Sequence, residues 1–261
     1  MLLLLFAILL LPSEHSALSL IIPPNKKDVV TRENFLKITA AGTGSALLLP
    51  RNADANDAQS IPRVNIGSLE ISQTIQGYWQ LAGGHGKYNE ADAIANMEAH
   101  WKAGITTLDT ADIYGPSETI VGKFVKSQSK AVPLTKLCCF RFLEEITREE
   151  VRQRVLRSCE RLQVSKLPLV QFFWSNYDVK RYTDVALYLT ELKEEGLIQE
   201  IGATNFDLPR LKELRNAGVP LVSHQVQLSA LDRRPVQSGM AEWCQENGIK
   251  LIGFGTVGSG T

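Results

Sequence analysis

The chain has 261 residues, with 28 lysines and arginines against 28 aspartates and glutamates, so its formal net charge is zero. That balance argues against nucleic-acid binding as the main function, because such domains usually carry a clear excess of positive charge. With 44% apolar and 21% charged residues, the composition is that of a globular protein. The four cysteines do not make a disulfide framework and lack metal-ligand spacing, so no metal site is expected.

The first sixty residues differ from the rest and are typical of targeting sequence. An apolar run at 1–11 resembles the core of a secretory signal more than a membrane span. A second apolar segment at 38–50 precedes an A-x-A-like cleavage site at 53–55. Two signals in tandem predict delivery to the secretory pathway or a plastid, and one signal with an uncleaved linker is the alternative. We therefore expect residues 1–60 to be a targeting region, residues 61–261 to be the working domain, and no stable membrane span after processing.

From Ile61 onward, short apolar runs alternate with amphipathic segments. A hairpin is predicted over Val64 to Ser72, with its turn at Gly67. The later strands are predicted, in chain order, in TIQGYWQLA, TTLDTAD, VPLTKLCCF, LPLVQFFW, QEIGATNF, VSHQVQLS and IKLIGFGTV. Helices are predicted between them at 89–103, from 116, within TREEVRQRVLRSCERL, and at 183–195, 208–218 and 238–247. Thr147 and Glu150 have the spacing of a capping box at the start of the third of these helices.

This alternation of strands and helices predicts an α/β fold with parallel strands and crossover helices. No GxGxxG follows the first strand, which disfavours a doubly wound dinucleotide-binding sheet. A (β/α)₈ barrel needs about 250 residues, and this domain falls short by about one strand and two helices. We therefore expect an incomplete TIM-type barrel of about seven strands, open between the first and the seventh. Both edge strands would then carry unpaired backbone groups.

Chemistry in such a barrel takes place at the carboxyl ends of the strands, and three residues there form a chemically sensible set. A free tyrosine has a pKa of about 10, too high for an efficient proton donor at neutral pH. A nearby ammonium stabilises the phenolate and lowers that pKa, and a carboxylate keeps the ammonium charged and in place. We therefore predict that Tyr114, supported by Lys136 and Asp109, is a general acid that protonates a carbonyl oxygen. From spacing alone, the alternative is that Asp109 caps a turn, Tyr114 packs in the core and Lys136 lies on the surface.

The segment GITTLDTADIYGPSETIVGKFV, residues 104–125, resembles the signature of the aldo-keto reductase family, and the similarity extends from about Val64 to the C-terminus. The family is a (β/α)₈ barrel that reduces aldehydes and ketones with a nicotinamide cofactor, usually NADPH. The resemblance implies that Tyr114 is the general acid, that Lys136 lowers its pKa, and that Asp109 pairs with Lys136. It also implies NADPH as cofactor, with NAD as an alternative, and a small aldehyde or ketone as substrate.

The chain departs from the family pattern in two places. The family has a histidine two residues after Gln171, whereas this chain has Phe173, which can neither titrate nor donate a hydrogen bond. Loss of one preorganised donor typically costs about 10² to 10³ in rate. His85 could compensate, or it belongs to a loop shaped by its neighbouring glycines. The family segments that hold the pyrophosphate and the adenosine end fall largely beyond Thr261.

The resemblance also implies residues that bind the cofactor and the substrate. Thr204 and Asn205 are expected to bind the nicotinamide carboxamide together with Gln225, because an amide side chain both donates and accepts hydrogen bonds. Phe254 is expected to stack on the nicotinamide ring, which needs only a flat face, or else to be a core aromatic. The substrate pocket is expected to be lined by Tyr78, Trp79, His85, Phe173 and Trp174.

Three functions follow from these observations. The first is an NADPH-dependent carbonyl reductase whose activity in this chain is in doubt. The second is a catalytically weak NADPH-binding sensor or regulatory subunit, suggested by Phe173. The third is a non-catalytic module in which a protein partner covers the open barrel edge.

Overall fold

The computed structural model describes the backbone of residues 18–21 and all of residues 61–83 and 88–257. The strands are β1 (Leu18–Ile21), β2 (Arg63–Ile66), β3 (Leu69–Ser72), β4 (Thr74–Gly77), β5 (Thr107–Asp109), β6 (Val132–Cys139), β7 (Leu167–Trp174), β8 (Ile198–Thr204), β9 (Leu221–Gln227) and β10 (Lys250–Phe254). The helices are α1 (Glu90–Lys102), α2 (Ser117–Ser127), α3 (Arg148–Leu162), α4 (Tyr182–Glu194), α5 (Leu208–Asn216), α6 (Arg234–Gln237) and α7 (Met240–Glu246), with a 3₁₀ turn at Trp79–Ala82. No helix within these ranges has the length and apolar character needed to cross a bilayer.

The strands form a barrel in the order β4, β5, β6, β7, β8, β9, β10, β1. From β4 to β10 each strand pairs in parallel with the next. Crossover helices connect them, as parallel neighbours require. The predicted incomplete α/β barrel of seven parallel strands is therefore confirmed.

The expected opening between the first and the seventh parallel strand is wrong for the described backbone. β1 pairs antiparallel with β10, where Leu20 lies opposite Gly253, and with β4, where Leu18 lies opposite Gln76. These ladders give hydrogen-bond partners to edge groups that would otherwise be unpaired. Part of the region predicted to be targeting sequence thus contributes a barrel strand, and the hypothesis of a partner that covers an open edge loses its support.

The predicted hairpin closes the amino-terminal end of the barrel. Its apolar side chains pack on the lowest layer of the barrel interior in one cluster: Ile66, Leu69, Ile71, Ile75, Leu134, Leu169 and Ile252. The Glu200 carboxylate accepts a hydrogen bond from the backbone N–H of Ser68 at 2.7 Å and pairs with Lys193 at 2.7 Å. Gly67 turns the hairpin with a φ of +55°. This closure leaves the carboxyl ends of the strands as the end available for a site.

The helices start and stop close to where the sequence predicts them, but the bounds of one strand and of one helix differ from the prediction. The Thr147 hydroxyl accepts a hydrogen bond from the N–H of Glu150 at 3.2 Å, as the capping box predicts. The strand predicted in TIQGYWQLA ends at Gly77, because the chain turns into the 3₁₀ helix there. The helix predicted at 238–247 begins only at Met240, after Gly239, whose φ of +77° is left-handed, and the separate short helix α6 precedes it.

Candidate active site

An ion pair between Asp109 and Lys136 lies at the centre of the barrel. Asp109 is the last residue of β5 and Lys136 lies within β6, and both side chains are almost completely buried. The Lys136 ammonium donates hydrogen bonds to Asp109 Oδ2 at 2.6 Å and to the carbonyl of Thr110 at 2.7 Å. The reading of Lys136 as a surface residue is thereby excluded.

Tyr114 lies beside this pair on the loop between β5 and α2. Its ring centroid is 5.2 Å from the Lys136 Nζ, and its side chain is partly exposed. The loop is held to β6, because Asp112 accepts a hydrogen bond from the N–H of Cys138 at 3.1 Å and forms an ion pair with Arg154. The three predicted catalytic residues are therefore brought together, with the phenol at the mouth of the barrel and the ion pair beneath it.

The electrostatics of the site differ in one respect from the prediction. Burial raises the pKa of Tyr114 above its ordinary value of 10.0, and the charge of Lys136 only partly offsets that rise. The predicted lowering of this pKa is therefore wrong as a net effect, because loss of solvent outweighs the ammonium. Burial alone would lower the pKa of Lys136. The Asp109 carboxylate and Tyr114 raise it by more than burial lowers it, so the pKa lies above its ordinary value of 10.5. Tyr114 is thus protonated and Lys136 charged at neutral pH.

The predicted cofactor residues lie together at the carboxyl ends of β8, β9 and β10. Thr204 lies opposite Gln225 in the β8–β9 ladder, and the N–H of Asn205 donates to the Gln225 carbonyl at 3.0 Å. Asn205 adopts a left-handed φ of +58°, uncommon outside glycine, and its side chain is exposed. Phe254 ends β10 opposite Gln227 and is partly exposed.

One orphaned atom in this group fits a bound carboxamide. The Gln225 side chain is buried, and its Nε2 has no hydrogen-bond partner among the described residues. A buried unpaired donor costs about 1–3 kcal/mol, which an incoming acceptor would recover. The oxygen of a carboxamide is such an acceptor, so the residues fit the nicotinamide end of the cofactor.

The predicted substrate residues fall into three groups. Trp79 and Phe173 lie at the carboxyl end of the barrel, and Trp79 is 51% exposed. Trp174 and Tyr78 are buried in the core between the barrel and its helices, so their assignment to the pocket is wrong. His85 lies outside the described residues.

The direction of Trp174 follows from the alternation of side chains along β7. Gln171 contacts Asp109 inside the barrel, so Phe173 has the inward direction and Trp174 the outward one. The Trp174 indole N–H donates to the carbonyl of Asn176 at 2.7 Å, and its ring packs edge-on against Tyr182. For Tyr78 the reason is the early end of β4, after which the chain turns the tyrosine into the core.

Two residues hold the site together without having been assigned a role from sequence. Gln171 Nε2 donates to Asp109 Oδ1 at 2.7 Å, which fixes the second oxygen of the carboxylate. The sequence signal that could have indicated this contact is the position of Gln171, two residues before Phe173 on the same face of the strand. His224 Nε2 accepts a hydrogen bond from the N–H of Phe206 at 3.1 Å and so holds the loop that carries Asn205. No motif in the sequence marks this second contact.

We predict that the folded protein loses stability in mild acid because of the buried side chain of His224. Burial lowers its pKa from 6.5 to about 3, so between these values the unfolded chain takes up a proton that the folded chain does not. The free energy of unfolding therefore falls as the pH decreases through that window, by up to about 1.4 kcal/mol per pH unit. Urea unfolding between about pH 7 and 5, above the range of ordinary carboxylates, measures the slope.

His224→Gln should flatten this slope, because glutamine keeps an acceptor for the Phe206 N–H but takes up no proton. His100→Gln is the comparison variant: burial lowers the pKa of His100 as well, but His100 is only half-buried, so this change should flatten the slope less than His224→Gln does. An unchanged slope in His224→Gln would contradict the assignment.

Comparison with known proteins gives relatives that are named as reductases. Over 221 residues the chain is 29% identical to the chloroplastic pyridoxal reductase of Arabidopsis thaliana, covering 76% of this chain and 60% of that protein. Over 214 residues it is 27% identical to the NADH-specific methylglyoxal reductase of Escherichia coli, covering 72% and 64%. The holo form of an aldo-keto reductase from Bacillus halodurans matches the fold with a TM-score of 0.63 at 27% identity, covering 73% of this chain and 65% of that one.

The chain thus spans less than two thirds of the length of these curated relatives. The aldo/keto reductase family model nevertheless matches residues 74–261, a segment that includes every predicted catalytic and cofactor residue and all seven parallel strands. On this match, together with the barrel and the site at its carboxyl end, the chain belongs to the aldo/keto reductase family.

Proposed function

We propose that the protein reduces the carbonyl group of small aldehydes or ketones, with NADPH as hydride source and Tyr114 as general acid. The single observation that carries the proposal is the buried Asp109–Lys136 pair, whose ammonium lies 5.2 Å from the centroid of the Tyr114 ring. Members of this family generally use NAD(P)H, and the preference for NADPH over NADH is part of the proposal.

Each residue of this set has a distinct role in the proposed reaction. When bound, the reduced nicotinamide supplies the hydride that the carbonyl carbon accepts. Tyr114 carries the proton that the carbonyl oxygen takes up, so that the product is an alcohol. Lys136 stabilises the phenolate left behind, which would otherwise be costly in so buried a position. Asp109, fixed by Gln171, keeps the ammonium in place.

The test is consumption of NADPH by the purified full chain in the presence of a panel of aldehydes and ketones. We expect NADPH loss to depend on the carbonyl compound and to match alcohol formation mole for mole. Repeating the assay with NADH decides the cofactor preference. Tight NADPH binding with no turnover of any carbonyl compound would exclude the reductase activity.

Removing the orphaned Gln225 amide should weaken nicotinamide binding. We expect Gln225→Leu to raise the dissociation constant for NADPH about tenfold, the equivalent of one hydrogen bond, because its Nε2 has no partner in the described protein to lose. Titration of nicotinamide fluorescence measures the constant. Gln199→Leu is the control, because Gln199 lies at the start of β8, at the barrel end away from the predicted cofactor residues, and its side chain donates to the Ser68 hydroxyl. Equal constants for both variants and the wild type would contradict the role of Gln225.

A second candidate function is an NADPH-binding sensor or regulatory subunit with weak turnover. The observation that favours it is Phe173, which lies inside the barrel mouth against another aromatic ring and offers no donor to a carbonyl oxygen. The variant Phe173→His restores the family donor. A rise in turnover of less than about tenfold would mean that the missing histidine does not limit the rate.

We further propose that the N-terminal region directs the protein to a plastid or the secretory pathway. The pyridoxal reductase relative is described as chloroplastic, and the two apolar segments with an A-x-A-like site support the same direction. A fluorescent fusion of residues 1–60 in plant or algal cells tests the destination. The mass of the mature protein tests processing, and cleavage after Ala55 would remove β1 from the barrel.

A further inference from the structure

An aromatic pair lies directly beyond the catalytic ion pair. The rings of Phe140 and Phe173 are 4.9 Å apart between centroids, at an interplanar angle of 37°. In the β6–β7 ladder Lys136 lies opposite Gln171, and Cys138 lies opposite Phe173. Gln171 and Phe173 share the inward face because side chains alternate along a strand, and the contact with Phe173 brings Phe140 to the same face.

The exposure of this pair indicates a surface that contacts a ligand. Phe140 is 52% exposed although its ring packs against that of Phe173, whereas the ordinary place of a phenylalanine is the core. A further exposed apolar side chain, Trp79, follows β4 at the same end of the barrel. We call Trp79, Phe140 and Phe173 the apolar rim. It lies at the barrel end where Tyr114 presents its phenol.

We propose that Phe140 is a specificity-determining residue, and that the apolar rim selects aromatic carbonyl compounds over small hydrophilic ones. The inference rests on the proposed function and names the substrate class of that same site. A flat aromatic substrate stacks on the Phe140–Phe173 pair and buries the exposed face of Phe140. A short dicarbonyl such as methylglyoxal covers little of the rim and gains no hydrogen bond from Phe173.

The chemistry of the pair supports this choice of substrate. Offset aromatic rings attract one another beyond simple burial of area, by an amount that corresponds to about twofold to tenfold in affinity. In the barrel mouth Phe173 replaces a group that could have polarised a carbonyl oxygen. An aromatic aldehyde, held by its ring, depends least on that missing donor, because stacking can hold its carbonyl near Tyr114.

The experiment compares benzaldehyde with methylglyoxal in the full chain. We expect kcat/KM for benzaldehyde to exceed that for methylglyoxal at least tenfold. Phe140→Ala should lower the benzaldehyde value about tenfold and change the methylglyoxal value by less than about threefold. Phe142→Ala is the matched control, because Phe142 lies in the same loop, is 74% exposed, and stacks on no ring among the described residues.

A second measurement separates this inference from the proposed function. Calorimetric binding of benzaldehyde to the chain without cofactor needs no turnover, and Phe140→Ala should weaken it about tenfold while Phe142→Ala leaves it unchanged. Absence of all turnover with this binding pattern intact would refute the reductase and uphold the aromatic site. Equal losses in the two variants, or turnover without preference for benzaldehyde, would overturn the inference and leave the reductase standing.

Discussion

Tyr114→Phe is expected to lower kcat/KM for carbonyl reduction by about 10² to 10⁴, the range that a positioned general acid contributes. The physical reason is that phenylalanine keeps the ring beside Lys136 but removes the hydroxyl that carries the proposed proton. The ammonium cannot take over this role, because its pKa is raised and it already donates hydrogen bonds to Asp109 and to the Thr110 carbonyl. Steady-state NADPH oxidation over a range of aldehyde concentrations, extending well below KM, measures the loss.

Two controls separate a catalytic loss from a structural one. The dissociation constant for NADPH should stay within about threefold of the wild type, since the Tyr114 side chain is only partly buried and its ring is retained. Tyr88→Phe removes a hydroxyl from another exposed tyrosine and should leave the rate unchanged. Retention of more than about a tenth of the activity by Tyr114→Phe would reject Tyr114 as the proton donor.

The pH profile gives an independent check of the same role. Because burial raises the pKa of Tyr114, the acid form persists across the neutral range, and wild-type turnover should fall only at alkaline pH. The residual activity of Tyr114→Phe should lack this alkaline limb. A wild-type limb near pH 7 would indicate a different titrating group.

The sequence was sufficient to predict that Asp109, Tyr114 and Lys136 lie together, because their proximity depends on local position. Asp109 and Lys136 lie on consecutive parallel strands, and the ends of such strands meet at one edge of a sheet. Tyr114 follows five residues after Asp109, on a loop too short to leave the site. The resemblance of residues 104–125 to a known signature added the roles.

Other features could not be predicted, because they depend on direction or on distant contacts. The inward Phe173 and the outward Trp174 differ by one residue, and only the contact between Gln171 and Asp109 fixes which of them faces the barrel interior. The ion pair that orders the Tyr114 loop joins Asp112 to Arg154, forty-two positions apart. β1 had no signal of its own, because its four residues lie in a region typical of targeting sequence and pair with strands more than fifty residues away.

The net direction of the pKa shift of Tyr114 also could not be predicted from the sequence. The charges around the phenol could be anticipated from Asp109 and Lys136, but the loss of solvent depends on how the loop packs, and it is the larger effect. The position of Lys136 inside the barrel, in contrast, follows directly from its place within β6.

Breaking the buried ion pair should destabilise the fold as well as the activity. Among the described residues, Lys136→Met leaves the buried Asp109 carboxylate with Gln171 as its remaining side-chain partner, and Asp109→Asn removes the counter-charge that pairs with the buried ammonium. We expect each change to lower the free energy of unfolding by about 3–5 kcal/mol. The double variant should lose less than the sum of the two, since it leaves no unpaired charge. Urea unfolding measures all four proteins of the cycle.

The sign of the pH dependence distinguishes this mechanism from a simple packing loss. In the wild type the pKa of Lys136 is raised, so its contribution is fully present below 10.5 and is lost only as the pH rises through the higher value of the folded state. In Asp109→Asn the carboxylate no longer offsets burial, so the pKa of Lys136 should fall below that of the unfolded chain. Between about pH 7 and 9 the unfolded variant then binds more protons than the folded one, and its stability should rise with pH while that of the wild type stays level. Parallel pH profiles for the two proteins would mean that the Asp109 carboxylate does not hold the charge of Lys136, and the proposed support for Tyr114 would fail with it.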